Sequence, residues 1–302
     1  MRAILFDRHG GPSVLRLARR PLPVAGPNEV LVRVAAIGVN PADAKWRAGL
    51  FADRLPLRMP HIPGYDVAGV VEKSDISEFP EGLRVAGMLD PRRHGAYAEW
   101  VAAPAAGLAA IPDSMAFETA AAIPTPGLTG AAMIEKRLDL QAGQRVLVTG
   151  ATGAVGRFAL AAALARNGRV IAAVRPEYSE LALSLGACEV ICLGSRPYDG
   201  EPFDHVADTI GGLQTAALCQ ALRPGGRIVT VATDPIPANN LSARPEFFGV
   251  EPDGKRLQRL LRSIADDEMS APPVRTFALE AASDAHSLLE CGAGGQKLVL
   301  QL

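Results

Sequence analysis

A strand, a glycine-rich turn and a helix follow one another in the middle of the chain, and this order constrains the fold most. Residues 145–149 (RVLVT) form a continuous strand, the turn covers 150–156 (GATGAVG), and the helix 154–165 is apolar almost all round. A second strand follows at 169–174. In such a βαβ unit the glycines let the backbone approach a ligand, and the helix start faces a pyrophosphate. The sequence therefore predicts a dinucleotide-binding turn; turn glycines without a ligand and a methyltransferase cradle are the alternatives.

The residue at the end of the second strand discriminates between the two nicotinamide dinucleotides. An NAD site carries Asp or Glu about 20 residues past the turn, to bind the ribose 2′-hydroxyl. Here the strand ends in Arg175, 19 residues after Gly156. A guanidinium binds a 2′-phosphate with charge-assisted hydrogen bonds, and Tyr178 can add a hydroxyl donor. We therefore expect NADPH as the cofactor, with a solvated surface cation as the alternative interpretation of Arg175.

Two patterns of predicted secondary structure divide the chain into two predicted domains. Short strands and turns fill the first 120 or so residues, as in a compact β barrel or sandwich. From residue 123 strands alternate with helices, which indicates βαβ units on a parallel sheet. The short terminal strand at 297–302 needs a sheet to join, and we expect it to return to the first domain. The predicted domains are 1–122 with 267–302, and 123–266.

Charge and composition exclude several classes of protein. The chain has 31 Lys+Arg against 32 Asp+Glu, a net charge of −1, so binding of nucleic acid by bulk charge is not expected. No run approaches the ~20 apolar residues of a membrane span, and no basic-then-apolar leader opens the chain. We expect a cytoplasmic protein without membrane attachment. The four cysteines lie at 188 and beyond without a second close pair, so we expect reduced thiols and no zinc.

Segments along the whole chain resemble the medium-chain dehydrogenase/reductase superfamily, and within it the zinc-independent quinone oxidoreductases of the zeta-crystallin type. The segments that carry the resemblance are VRVAAIGVNPADAKWRAG (32–49), PHIPGYDVAGVV (60–71), GAYAEWV (95–101), PGLTGA (126–131), VLVTGATGAVG (146–156), DTIGG (208–212), RPGGRIVTVA (223–232), FFGVEPDG (247–254) and AHSLLECGAGGQKLVL (285–300). The resemblance implies an α/β fold, with a GroES-like β-rich catalytic domain and a Rossmann domain built on a doubly wound parallel sheet. It also implies a homodimer, often built through edge strands of the Rossmann sheets.

The chain departs from the zinc-dependent relatives at their metal ligands. Those relatives carry Cys where Asn40 stands, His-Glu where Tyr65 and Asp66 stand, and a four-cysteine lobe. Asn and Tyr are poor zinc ligands, so the Lewis acid that ionises an alcohol is missing. Relatives also often carry Tyr where Leu193 stands, so NADPH binding should depend more on Arg175 and Tyr178.

The resemblance implies metal-free hydride transfer from NADPH to a quinone or an α,β-unsaturated carbonyl. Asn40, near the nicotinamide ribose or the substrate oxygen, and Tyr65, near the substrate pocket, are the candidate catalytic residues. A half-buried barrel tyrosine is the alternative for Tyr65, and core packing is the alternative for the apolar cofactor residues. The predicted cofactor-binding residues are Asn40, Thr129, Thr149, Thr152, Gly153, Ala154, Val155, Gly156, Arg175, Tyr178, Thr209, Val231, Ala232, Thr233, Phe248 and Val250.

Two other functions stay open from the sequence. One is an NADPH-binding protein with little turnover, structural or RNA-binding, for which the patch Pro91-Arg92-Arg93-His94 offers positive charge. The other is a detached enoyl reductase. Steady oxidation of NADPH by a quinone or enone would argue against the first, and a panel with acyl thioesters would separate the second.

Overall fold

The fold consists of two compact units of different architecture. In the computed structural model, the first unit comprises Met1–Leu128 with Glu251–Leu302, and the second comprises Thr129–Val250. No helix among the described residues is long and apolar enough to cross a bilayer. The structure describes residues 1–53, 55–90, 92–93, 95–194 and 198–302.

The described residues form strands and helices that are numbered along the chain. The strands are β1 (Arg2–Leu5), β2 (Arg16–Arg19), β3 (Glu29–Gly38), β4 (Asp66–Lys73), β5 (Arg84–Met88), β6 (Trp100–Pro104), β7 (Leu108–Ala110), β8 (Arg145–Thr149), β9 (Arg169–Val174), β10 (Glu189–Cys192), β11 (Phe203–Asp208), β12 (Leu222–Thr230), β13 (Glu246–Phe247), β14 (Val274–Ala278) and β15 (Lys297–Gln301). The helices are α1 (Pro41–Ala48), α2 (Phe117–Ala121), α3 (Pro124–Ala132), α4 (Ala154–Ala165), α5 (Ser179–Ser184), α6 (Gly212–Cys219), α7 (Gly254–Ala265) and α8 (Ala282–Cys291). Helix α3 continues as a π-helical segment, Met133–Leu138.

The first unit is built on a mixed seven-stranded sheet. Its strand order is β14-β15-β3-β4-β5-β7. Strand β6 also pairs with β3, along the half of β3 that does not pair with β15. Strand β3 alternates buried and less buried residues along its first half, as expected for a strand with one face on the core. The terminal strand β15 runs antiparallel to β3, with Val299 opposite Gly38 and Leu300 opposite Ile37. Strand β15 therefore joins the sheet of the first unit.

The second unit is a parallel six-stranded sheet in the order β10-β9-β8-β11-β12-β13. Every residue of β8 is buried, as in a central strand covered on both faces. From β8 the chain passes through α4 to β9, which neighbours β8 on one side. It later returns to β11, which neighbours β8 on the other side. The carboxyl ends of β8 and β11 thus form the switch point at which such sheets bind ligands. The predicted fold class, a GroES-like β-rich domain with a doubly wound Rossmann domain, is confirmed.

The structure departs from the predicted domain bounds at α7. The predicted second domain, 123–266, contains this helix, whereas the structure includes it in the first unit. The side chain of Gln258 makes two hydrogen bonds of 2.9 Å to the backbone of Ala110 in β7. A Cβ on Gly254 would lie 2.2 Å from the carbonyl oxygen of Leu108, so glycine permits the close approach. Helix periodicity alone does not reveal this long-range partner.

Candidate functional site

The glycine turn of the second unit has the geometry that a pyrophosphate requires. Gly150 has a φ of +61°, and a Cβ on Gly156 would lie 2.0 Å from the Gly150 carbonyl oxygen. Helix α4 begins directly after Gly153, and no side chain caps its first amides. The turn therefore leaves a cradle of backbone N–H groups at a helix start, which fits a dinucleotide. Gly153, Ala154 and Val155 are only half-buried, as a ligand-binding turn requires.

Asp208 ties together the carboxyl edge of the same sheet. Its carboxylate accepts hydrogen bonds from five donors, which lie on β8, β12, α6 and the loop between β11 and α6. The donors are the hydroxyls of Thr149 (2.6 Å), Thr230 (2.6 Å) and Thr215 (3.0 Å) and the amides of Ile210 (3.1 Å) and Gly211 (3.0 Å). Asp208 is fully buried and is not among the residues predicted from the sequence. The sequence signal for Asp208 is an acid at the last residue of β11, Phe203–Asp208.

Predicted cofactor residues gather at this edge, and some of their polar groups are already hydrogen-bonded. The Thr209 amide donates to the Thr149 hydroxyl (2.9 Å), and the Thr209 hydroxyl donates to the Thr149 carbonyl (2.8 Å). The amide of Ala232 donates to the Thr230 hydroxyl (3.0 Å). Thr149 therefore acts within the protein by supporting the loop that starts at Thr209.

The remaining predicted cofactor residues differ in exposure. Thr129, Thr152 and Phe248 are buried, whereas Val231, Thr233 and Val250 are half-buried. Phe248 belongs to the apolar core of the second unit, and its amide donates to the Thr230 carbonyl (3.3 Å). The core packing considered for the apolar residues therefore describes the Phe248 side chain, and its predicted backbone contact to a cofactor stays a prediction.

Arg175 and Tyr178 lie together just beyond β9. The guanidinium of Arg175 stacks over the Tyr178 ring at 5.0 Å and donates to the Tyr178 hydroxyl at 3.2 Å. Its Nε also lies 3.3 Å from a carboxylate oxygen of Glu177. The side chains of Arg175 and Glu177 are both more than half exposed, so an incoming phosphate can compete with Glu177 for the guanidinium. Glu177, two residues after Arg175, is therefore a competitor for the same guanidinium.

In the first unit, Asn40 sits in a buried polar cluster with Asp66 and Lys297. The Asn40 amide nitrogen donates to Asp66 Oδ2 (2.9 Å), and its carbonyl oxygen accepts from the Lys297 ammonium. Lys297 Nζ lies 3.7 Å from Asp66 Oδ2, and Thr125 donates to Asp66 Oδ1 from both its amide and its hydroxyl. Asn40 is 2% exposed, so both ends of its amide are held by protein partners. Lys297 is not among the residues predicted from the sequence.

Burial dominates the electrostatics of this cluster. Desolvation, together with the nearby charge of Asp66, raises the pKa of Asp43 to about 7, against the hydrogen bond from the Asn40 amide (2.8 Å) and the charge of Lys297. Burial also raises the pKa of Asp66, against the stabilising charge of Lys297. The same desolvation lowers the pKa of Lys297, although both carboxylates favour its charged form.

Tyr65 lies at the start of β4, next to Asp66, and is half-buried. Its hydroxyl oxygen accepts a hydrogen bond of 2.7 Å from the Trp46 indole N–H. Burial raises the pKa of the Tyr65 phenol well above 10, and the Trp46 hydrogen bond partly opposes this rise. Tyr65 therefore stays protonated at neutral pH, with an acceptor site already occupied.

The donor set does not fit the zinc ion that zinc-dependent relatives hold. Asn40 and Tyr65 occupy ligand positions, and the Asn40 carbonyl oxygen faces an ammonium. Within the part of the chain that the structure describes, no three His, Cys, Asp or Glu side chains are grouped as metal ligands. The four cysteines are free, and Cys188 and Cys291 are exposed.

The basic patch considered for RNA falls partly outside the described residues. Pro91 and His94 lie outside them, while Arg92 pairs with Asp90 at 2.7 Å and Arg93 pairs with Glu29. Carboxylates thus already neutralise both described arginines.

Comparison with known proteins gives two matching families. The alcohol dehydrogenase GroES-like domain matches residues 26–113, and the zinc-binding dehydrogenase family matches residues 185–300. A probable quinone oxidoreductase of Schizosaccharomyces pombe is 30% identical over 98% of this chain and 96% of its own length. An NADPH-dependent alkenal/one oxidoreductase of Arabidopsis thaliana is 31% identical over 99% of this chain and 79% of its own.

Solved structures show the same similarity. The quinone oxidoreductase from Coxiella burnetii matches with a TM-score of 0.89 and 30% identity, over 100% of this chain and 99% of that one.

Proposed function

The chain belongs to the medium-chain dehydrogenase/reductase superfamily, in its quinone oxidoreductase branch, and from this membership we propose that it reduces quinones or α,β-unsaturated carbonyls with NADPH and without a metal. As a member of this family it is an oxidoreductase. The observation that carries the proposal is the glycine turn of the second unit, followed by Arg175 where an NAD site has an acid. When bound, NADPH supplies a hydride.

Residues of the second unit would hold the cofactor by backbone and by charge. The amides after Gly153 would bind the pyrophosphate, and Gly156, which has no Cβ, lets the turn close tightly against α4. The guanidinium of Arg175 would bind the 2′-phosphate, with the Tyr178 hydroxyl beside it. We propose that Thr129 contacts the nicotinamide end and that the backbone of Phe248 and Val250 faces the carboxamide. The residues that would line the cofactor groove are Thr209, Val231, Ala232 and Thr233.

An acceptor of this class suits a site without a Lewis acid. Quinones and enones are already electrophilic, so the protein needs mainly to position the acceptor and exclude water. The Lys297 ammonium holds the Asn40 amide in one orientation, which supports a positioning role for Asn40. We propose a cytoplasmic homodimer as the working form.

A substrate panel with both cofactors tests this function. We expect NADPH oxidation with a benzoquinone or a simple enone, slower oxidation of NADH, and no oxidation of simple alcohols. Tight binding of NADPH without turnover of any acceptor would favour the non-enzymatic alternative. A strong preference for a crotonyl thioester would favour the enoyl reductase.

Metal analysis tests the metal-free proposal. Since the Asn40 carbonyl faces an ammonium and Tyr65 accepts from an indole, neither is free to bind zinc. We expect far less than one zinc per chain after washing with chelator, with activity retained. Near one zinc per chain, lost together with activity on prolonged chelation, would contradict it.

A further inference from the structure

We propose that Tyr65 donates the proton that completes the reduction, and that Trp46 is a positioning residue that orients its hydroxyl and stabilises the phenolate left behind. This inference rests on the proposed function, because it concerns the second half of the same reduction. It assigns a role to Trp46, which none of the expectations from the sequence includes.

The hydrogen bond between the two side chains fixes the direction of the Tyr65 proton. An indole N–H can only donate, so the bond of 2.7 Å makes the Tyr65 oxygen the acceptor. The hydroxyl proton must therefore point to another partner. Among the described residues, none accepts it within hydrogen-bond distance. A half-buried hydroxyl with its proton unassigned is suited to donate to a ligand.

Both members of the pair are held rigidly. Trp46 is 7% exposed on α1, and its ring packs against Phe51 at 5.1 Å. The Tyr65 carbonyl oxygen accepts from the Leu89 amide at 2.7 Å, which fixes the backbone at the start of β4. The donor geometry therefore exists before any ligand arrives, which is the condition for electrostatic stabilisation of a developing charge.

The charges around Tyr65 favour the neutral phenol. Asp43 on α1, Asp66 on β4 and Asp90 after β5 all oppose its ionisation, and burial opposes it more. Arg92, a cation close to Asp90 in the sequence, also interacts with Tyr65. The proton is thus present throughout neutral pH, and the costly species is the phenolate. The Trp46 N–H stabilises that species by a hydrogen bond to charge.

The bonds and electrons balance with the proposed cofactor as reductant. The acceptor gains a hydride at its electron-poor carbon, and the displaced π pair becomes an enolate or a hydroquinone anion. The Tyr65 O–H bond then breaks, its proton goes to that anion, and the phenolate recovers a proton from water. NADPH is oxidised to NADP⁺ and the acceptor is reduced by two electrons.

Asp43 is the competing proton donor in the cluster, with a pKa raised to about 7 by its burial. It is 1% exposed, and one carboxylate oxygen already accepts from the Asn40 amide at the start of α1. A ligand has no direct access to it, whereas Tyr65 is half-buried.

Three variants test the pair kinetically. Tyr65→Phe removes the proton, Trp46→Phe removes the N–H but keeps a ring, and Phe51→Leu alters the packing around Trp46 without touching the hydrogen bond. With an enone at saturating NADPH, we expect kcat to fall about 100-fold or more in Tyr65→Phe and about 10-fold in Trp46→Phe. The solvent deuterium isotope effect should rise in Trp46→Phe, while Phe51→Leu and the NADPH Kd of all three stay near wild type.

A spectroscopic readout tests the hydrogen bond without any turnover. The chain has two tryptophans, so ¹⁵N-labelled protein gives two indole N–H signals, from Trp46 and Trp100. In Tyr65→Phe we expect the Trp46 signal to move upfield and the Trp100 signal to stay.

The possible outcomes separate this proposal from the proposed function. An unchanged kcat in Trp46→Phe, or equal losses of kcat in Trp46→Phe and Phe51→Leu, would overturn the proposed role of the Tyr65–Trp46 pair. The proposed function would still hold as long as the wild type turns over. An indole signal that does not move would overturn it as well. If the wild type fails to oxidise NADPH with every acceptor tested, the proposed function is refuted. The proton-donor role would then fall with it, even if the indole signal moves.

Discussion

At the scale of single residues, burial sets the protonation of Asp43. Its carboxyl caps α1 by accepting the Asn40 amide, yet desolvation raises its pKa from 3.8 to about 7. An acid whose folded pKa exceeds its unfolded pKa binds more protons when folded, so its contribution to stability falls as pH rises between the two values. This contribution is therefore lost between about pH 4 and pH 7.

Asp43→Asn tests this sign, because an amide keeps the shape and an acceptor oxygen but cannot ionise. We expect the Tm of the variant relative to wild type to rise by a few degrees between about pH 4 and pH 7, where the wild-type carboxylate becomes charged. Thermal unfolding across this range measures the difference. Asp75→Asn removes the same charge from an exposed position and should show no such trend. A Tm difference that falls with pH would show that Lys297 holds Asp43 ionised.

Arg175 and Glu177 make a second residue-scale prediction. A charge-assisted contact is worth roughly 1.5–3 kcal/mol, so Arg175→Ala should weaken NADPH binding by about 10- to 150-fold and leave NADH nearly unchanged. Because Glu177 pairs with the guanidinium at the surface, Glu177→Gln should strengthen NADPH binding by up to about fivefold. Titrations with both cofactors at one ionic strength measure this, and Glu180→Gln is the charge-matched control. Equal losses for NADPH and NADH in Arg175→Ala would place the arginine at the shared adenine site.

Single residues were predictable from the sequence where a local motif carries them. Arg175 is identified by its spacing to Gly156 and lies beside Tyr178 in the structure, and its role toward a 2′-phosphate stays a prediction. Lys297 is different, because its partner Asn40 is 257 positions away and only the β3–β15 pairing brings their strands together. A lysine at the start of an apolar strand gives no sign of the acid that it meets.

At the scale of elements, the β8–α4 turn depends on two glycines with different tolerance. A Cβ at Gly156 would lie 2.0 Å from the backbone oxygen of Gly150, which cannot move without opening the turn. A Cβ at Gly153 would meet the same oxygen at 3.1 Å, a tight but adjustable contact. Gly156→Ala should therefore abolish measurable NADPH binding, whereas Gly153→Ala should retain most of it.

Fluorescence titration with NADPH compares the two variants, with circular dichroism to confirm that each is folded. If both variants bind NADPH with the affinity of the wild type, binding does not depend on the turn, and the predicted site would be wrong.

Helix α4 itself is well defined by its apolar sequence, so the observed Ala154–Ala165 agrees with the predicted bounds. Strand β13 is harder to predict, because it covers only two residues, Glu246–Phe247. Pairing to β12, not local pattern, sets its length.

At the scale of the whole molecule, strand order and the return of the chain end follow from long-range pairing. The sequence predicted both units because each has its own periodicity, short strands in one and βαβ units in the other. The junction at 251 was not predictable, because α7 is amphipathic and would suit either unit. Hydrogen bonds between Gln258 and Ala110 decide its place. Such side-chain-to-backbone contacts have no signature in a single sequence.

The free edge of the six-stranded sheet gives the last prediction, at β13. This strand pairs with β12 on one side and ends the sheet, and Phe247 is 55% exposed on it. An edge strand with an exposed aromatic side chain is a template for a second copy, and lysine is the residue that blunts such edges. We expect a dimer in analytical ultracentrifugation, and a monomer that still binds NADPH in Phe247→Lys. Leu213→Lys, at an apolar position 77% exposed on α6, controls for added charge and should stay dimeric. A wild-type monomer would remove the dimer from the proposed working form, and a dimeric Phe247→Lys would move its interface away from β13.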